Sequence, residues 1–167
     1  TMAALLAALE RGKTRSRVRA AAFAAASVAL LAIGADGYRR WDHARRVAVC
    51  ELAGAEHDAA WTDDTRQRLR RAFTATGVRD AATTADRLMP WLDERAATWK
   101  QARTEVCLNA EVRARWSEDR VDRALWCLED RAMERDALVA EFERADDMTV
   151  MKAVAAVTNL GRIDACL

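Results

Sequence analysis

Apolar and polar positions along this chain recur with the period of a helix, and no segment alternates over a strand length. Met2, Leu5, Leu6 and Leu9 open the pattern at helical spacing. A basic stretch follows, with Arg11, Lys13, Arg15, Arg17 and Arg19 and no acid. Residues 20–35, AAAFAAASVALLAIGA, then form an uncharged run whose one polar side chain is Ser27. Such a run measures about 24 Å as helix, against a hydrocarbon core of about 30 Å. Val18, Gly37 and Tyr38 lengthen it, and Arg19 can snorkel. Tyr38 and Trp41 fall where an interfacial aromatic belt belongs. The pattern predicts a transmembrane helix over 20–38, with a buried core helix and a cleaved signal peptide as competing readings. The basic flank suits a leader, whereas a preceding amphipathic helix does not.

Five more helices are expected beyond the run. The first covers about 41–57, with Trp41, Ala44, Ala48 and Leu52 inward, and continues directly from the span unless Gly34 and Gly37 interrupt it. Thr62 caps the second, Asp63 and Asp64 favour its first turn, Leu69 and Phe73 form its apolar line, and Gly77 ends it. The third runs from about Asp80 to Val112 on Ala85, Leu88, Leu92, Ala96, Trp99, Val106 and Ala110, and Pro90 should kink or split it. Ser117 caps the fourth, lined by Val121, Leu125, Leu128, Ala132, Leu138 and Phe142. Asp146 or Asp147 caps the fifth, on Val150, Met151, Val154 and Val157, ending at Asn159 and Gly161. The fold class expected is all-α: one transmembrane helix followed by an antiparallel helical bundle.

Composition sharpens this picture. One proline and six glycines leave little room for loops, and 51% apolar with 32% charged residues is a globular balance. A net charge of +1 gives no argument for nucleic acid. Cys50, Cys107, Cys127 and Cys166 are widely spaced, with no CxxC, so a zinc ribbon or redox motif is disfavoured. Their even number fits disulfides in an oxidising space; buried free thiols and a metal site are the alternatives. All four follow the span, which places the C-terminal side in that space. The basic residues decide orientation less well, since Arg39, Arg40, Arg45 and Arg46 follow the run.

Four cysteines permit three pairings. Cys107 and Cys127 lie equally far from a helical-hairpin turn at Trp116 and Ser117, which predicts a bond between them and leaves Cys50 with Cys166. No phosphate loop, HExxH, GxSxG, HRD or DFG occurs. His43 and His57 share no tight face, and the paired acids Asp63–Asp64 and Asp146–Asp147 sit where helix caps belong. Neither a catalytic group nor a cofactor or metal ligand is therefore expected. Trp61, Trp91, Trp99 and Trp126 fall on or near apolar faces and read as core, with an exposed aromatic ligand platform as the other reading. Trp116 lies at the hairpin turn.

The order of elements also resembles a known family. TMAALLAALERG resembles the last helix of a bacterial eukaryotic-like Ser/Thr protein kinase domain, where an S-M-x-x-L-L-x-A-L run closes the large lobe. Trp61, Arg71, Phe73, Thr76 and Gly77, with TEVC at 104–107, CLEDR at 127–131 and IDAC at 163–166, look like the region that follows. The arrangement is similar to membrane-anchored kinases of myxobacteria, in which such a segment precedes tetratricopeptide repeats. The resemblance implies a division into 1–11 (end of the upstream kinase domain), 12–19 (basic linker), 20–38 (span) and 39–167 (extracytoplasmic helical domain). Met2, Leu5, Leu6 and Leu9 are then structural residues of the kinase lobe. It further implies a single-pass inner-membrane protein with a cytoplasmic N-terminus, ATP and magnesium for the parent chain, and protein partners through the repeats. No catalytic residue carries over to these positions. A membrane-anchored interaction module with no attached enzyme is the competing function.

Overall fold

The computed structural model describes residues 2–55 and 60–167, with only the helical backbone for residues 3–20. The expectations placed on the side chains of Leu5, Leu6, Leu9 and Arg19, and on His57, lie outside what is described. The elements are α1 (Met2–Ala55), α2 (Asp63–Ala75), α3 (Ala81–Cys107), α4 (Glu118–Phe142) and α5 (Asp147–Thr158). A π-helical turn, Leu108–Val112, follows α3, and a 3₁₀ turn, Asp164–Cys166, lies near the C-terminus. No strand occurs among the described residues. The chain divides into two compact units, Thr1–Arg45 and Arg46–Leu167.

Within the first unit, every side chain from 21 to 41 is exposed. Phe23, Val28, Leu30, Leu31 and Ile33 are between 66% and 75% accessible. At 3.6 residues per turn these five positions spread around the whole helix rather than along one stripe. Among the described residues, the helical stretch Ala21–Ala55 is long and apolar enough, by length and composition, to cross a membrane, with a mean hydropathy of 1.5 over 18 residues.

In the second unit, residue chemistry sets the helix ends. Thr62 caps α2 by accepting a bond from the Thr65 backbone N–H, at 3.3 Å, and Gly77 supplies the left-handed φ of 74° just past its end. Asp146 caps α5 by accepting from the Thr149 N–H at 2.7 Å. Ser117 stands at the α4 N-cap position without a side-chain cap bond. Pro90 lies inside α3 and does not split it. The expected stretch to Val112 ends earlier as α-helix, at Cys107, where the backbone loosens into the π turn.

Two hydrophobic cores lie along the α3–α4 pair. The first gathers α2, the front of α3, the end of α4 and α5, with Phe73 and Phe142 edge to face at 5.5 Å. The second joins Trp99, Val106, Ala124, Leu128 and the C-terminal Ile163 and Cys166. α4 buries Ala124, Leu128, Ala132, Arg135, Val139 and Phe142, the 3–4 spacing of one helix face.

Several expected faces are corrected. Trp41, Ala44, Ala48 and Leu52 are exposed, and α1 instead buries Cys50 and Gly54. The apolar stripe of α1 misled because apolarity there does not mark contact with the chain's own core. On α5, Met151 is 66% and Val154 43% exposed, while Ala153 takes the central buried position. Ala153 is small, so it lets α5 approach the core closely, whereas the larger neighbours point away.

Candidate functional site

The end of α1 meets α3 antiparallel. Arg46 donates to the Glu111 carbonyl at 3.4 Å, Cys50 bonds Cys107, and Gly54 approaches Lys100 and Thr104. A Cβ at Gly54 would lie 2.8 Å from the Lys100 carbonyl oxygen, so only glycine permits this approach. Cys50 and Gly54 are four residues apart and share a face, which sets the close line of contact. The Cα atoms of Cys50 and Cys107 are 5.3 Å apart, within the usual range for a disulfide.

The second disulfide joins Cys127 of α4 to Cys166 of the C-terminal turn, with Cα atoms 5.5 Å apart. All four cysteines are thus paired, but not as the hairpin symmetry predicted. Neither Cys107–Cys127 nor Cys50–Cys166 forms. Equal distance from a turn levels two residues along antiparallel axes but does not fix which way they point. Val106 and Leu128 are both fully buried in the α3–α4 seam. Cys107 and Cys127 each lie one residue away, about 100° around the helix, and face outward from the seam toward a third element. The signal in the sequence was the pair Cys50 and Gly54, whose spacing marks a close helix approach.

A polar clasp accompanies the second disulfide. Glu134 accepts from the Gly161 backbone N–H at 3.1 Å and from Arg131 at 2.8 Å, while Arg95 donates to the Gly161 carbonyl at 2.5 Å. A side chain at Gly161 would collide with the Arg131 guanidinium. Burial pulls Arg95 below the ordinary guanidinium range, and the Glu134 carboxylate opposes that shift. Composition alone did not single out Arg95, Arg131 or Glu134, because their pairing depends on the return of the chain after α5. A second polar cluster ties α2 to α3: Trp61 donates to Asp93 at 2.6 Å, and Arg66 donates to the same carboxylate oxygen at 2.7 Å. That hydrogen bond is the main reason the Arg66 guanidinium is held above its ordinary range.

The tryptophans divide. Trp61 and Trp99 are buried, and Trp99 donates to the Leu128 carbonyl at 2.7 Å. Trp91 and Trp126 are 53% and 79% exposed, correcting the expectation that they are core. The helix period places Trp126 opposite the packing face of α4 and Trp91 at the flank of the packing face of α3. Trp116 is half-buried at the hairpin turn beneath the Arg120 guanidinium, 4.1 Å from the ring centroid. Tyr38 and Trp41 are exposed with rings 6.0 Å apart, and Arg45 stacks on Trp41 at 5.5 Å.

Among the described residues, no three His, Cys, Asp or Glu side chains converge to hold a metal. His43 is exposed on α1. Asp146 is held below the usual carboxylate range by the Thr149 N–H it caps. The features with structural consequence are therefore an exposed apolar helix and a helical unit closed by two disulfides. No family model, curated protein or solved structure matches the chain.

Proposed function

We propose that this chain is the non-catalytic membrane anchor and extracytoplasmic helical linker or sensor segment of a receptor-like Ser/Thr protein kinase. The observation that carries the topology is the pairing of all four cysteines with one another, all of them after residues 20–38 in the sequence. Disulfides persist in oxidising compartments. The exposed side chains of residues 21–35 are uncharged on all sides of the helix, which suits lipid better than a one-sided protein contact; the first charge after them is Asp36, paired with Arg40 at 2.8 Å. On this reading Arg19 marks one membrane boundary and Tyr38 with Trp41 the other, and the N-terminus is cytoplasmic. The kinase assignment rests on the resemblance of TMAALLAALERG to a closing lobe helix. ATP, magnesium and repeat-mediated protein partners belong to the parent chain.

Reporter fusions test the topology. A phosphatase that folds only outside the cytoplasm should be active when joined at Gly161 and silent at Arg11. Activity at Arg11 with silence at Gly161 would reverse the topology. For the enzyme, the parent chain should phosphorylate a Ser/Thr substrate with magnesium and ATP, whereas residues 1–167 should bind no nucleotide. Saturable nucleotide binding by residues 1–167 would sink that part of the reading.

A further inference from the structure

The outward face of α4 carries opposite charge at its two ends. Positions 119, 122, 126, 129 and 133 follow one face at 3–4 spacing, and all are exposed. Asp119, Asp122 and Glu129 make no ion pair with any described residue, and they flank Trp126 and Met133, which are 79% and 57% accessible. The same face continues through Ala137 and Ala140 to Arg144, just past the helix end. There it borders an open groove of about 670 Å³ against α2, lined by Ala72, Ala75 and Ala140 and by three arginines, with Glu143 as its one acid, paired with Arg68 at 2.9 Å. Arg71 and Arg144 stand at its edge. Arg71 Nε donates to the Gln67 carbonyl at 3.3 Å, and Arg144 reaches Glu141 at 3.4 Å on an exposed surface.

We propose that this face is a self-complementary surface through which two copies of the chain pair by antiparallel apposition of their α4 helices. A two-fold axis at Met133 brings the acidic end of each copy over the basic end of the other. In that register Trp126 lies level with Ala140 of the second copy, and Asp122 lies level with Arg144 of the second copy. The alanine lining leaves room for an indole, and the arginines beside it supply cations for the ring face. A two-fold interface repeats every contact, so each charge pair acts twice. The occupant is a second copy because the same helix face supplies both the acidic, aromatic ridge and the basic, small-residue groove.

Sedimentation of the full chain in detergent micelles, with helix content followed by circular dichroism, tests this. The wild-type chain should self-associate to two copies, less strongly as salt rises. Trp126→Ala and Asp122→Arg should each raise the dissociation constant roughly tenfold or more without loss of helix. Arg71→Glu with Arg144→Glu should do the same. Mixing the Asp119→Arg/Asp122→Arg chain with the Arg71→Glu/Arg144→Glu chain should restore pairing, because both contacts between positions 122 and 144 regain opposite charge. Any of three results would overturn the proposal: a dimer indifferent to these changes, mixed variants that stay apart, or a wild-type chain that stays single. A single chain that instead captures a lysine-rich helical peptide through Trp126 would assign the ridge to a foreign basic partner and overturn it equally.

Discussion

In residues 21–41 every side chain is exposed, whereas in residues 46–167 Leu69, Phe73, Leu88, Leu92, Leu128 and Phe142 are fully enclosed. Both regions are rich in alanine and leucine, and both are helical. Propensity therefore does not separate them. The difference lies in what satisfies their apolar surface. In 46–167 most of the large apolar residues lie on the packing faces of the helices and meet other helices of the same unit. In 21–41 they are exposed on all sides of the helix, and on the proposed reading what covers them is a bilayer. A helix whose backbone bonds are internal needs only an apolar medium to satisfy the rest, and a bilayer supplies one.

This contrast can be broken at chosen positions. The largest effect is expected inside the packed unit. Trp99→Ala removes a buried ring and its bond to the Leu128 carbonyl, and should cost about 3–5 kcal/mol in denaturant unfolding. In dilute single chains, Trp126→Ala should change stability by less than about 0.5 kcal/mol. A similar loss in both would contradict the assignment of packed and outward faces.

Next come the disulfides. Cys50 and Cys107 close a separation of 57 residues, and Cys127 and Cys166 one of 39. In the chain-entropy model each contributes about 4 kcal/mol at most, and about 2–4 kcal/mol is typical. The two loops do not overlap, so their effects should add. Replacing Cys50 and Cys107 by serine should lower the denaturation midpoint, and reduction of the remaining disulfide should lower it again. Non-reducing peptide mapping should yield a Cys50–Cys107 peptide; a peptide joining Cys107 to Cys127 would defeat the observed pairing.

For residues 20–38 the readout is insertion rather than unfolding. Leu30→Arg places a charge near the middle of the run and should disfavour insertion by about 2.5–3.5 kcal/mol. Membrane partitioning of the variant measures this. An unchanged membrane fraction would argue against a spanning helix. The same substitution should leave the midpoint of disulfide-dependent unfolding nearly unchanged, since Leu30 touches neither core.

The smallest effect is the pH response of the α5 cap. The Asp146 carboxylate is held below its ordinary range in the folded chain. Its contribution is therefore present above the unfolded carboxylate value and lost as pH falls through the folded one. Asp146→Asn keeps a side-chain acceptor but removes the titration, so amide exchange in α5 should become less sensitive to acid. An unaltered acid response would show that the cap carboxylate does not govern it.

The helical class, the α2 cap at Thr62, an aspartate cap on α5 at Asp146 or Asp147, the Gly77 end of α2 and the apolar run at 20–35 were all legible in the chain itself. Each depends on neighbours within a few residues, where helix period, capping chemistry and left-handed glycine act locally. The kinase assignment belongs to resemblance, and its test lies in the parent chain.

Tertiary structure decided what depended on azimuth. One residue of rotation, about 100°, turned Cys107 and Cys127 out of the α3–α4 seam and toward Cys50 and Cys166. Two residues of rotation, about 200°, left Trp126 exposed while Leu128 was enclosed. A turn fixes how far along two helices their residues meet, whereas the packing of a third element fixes which residues face it. That third element, the end of α1 at Gly54 or the C-terminal turn at Gly161, is set by close approaches between segments far apart in sequence, and a local pattern such as Cys50 with Gly54 marks one side of an approach but not its partner.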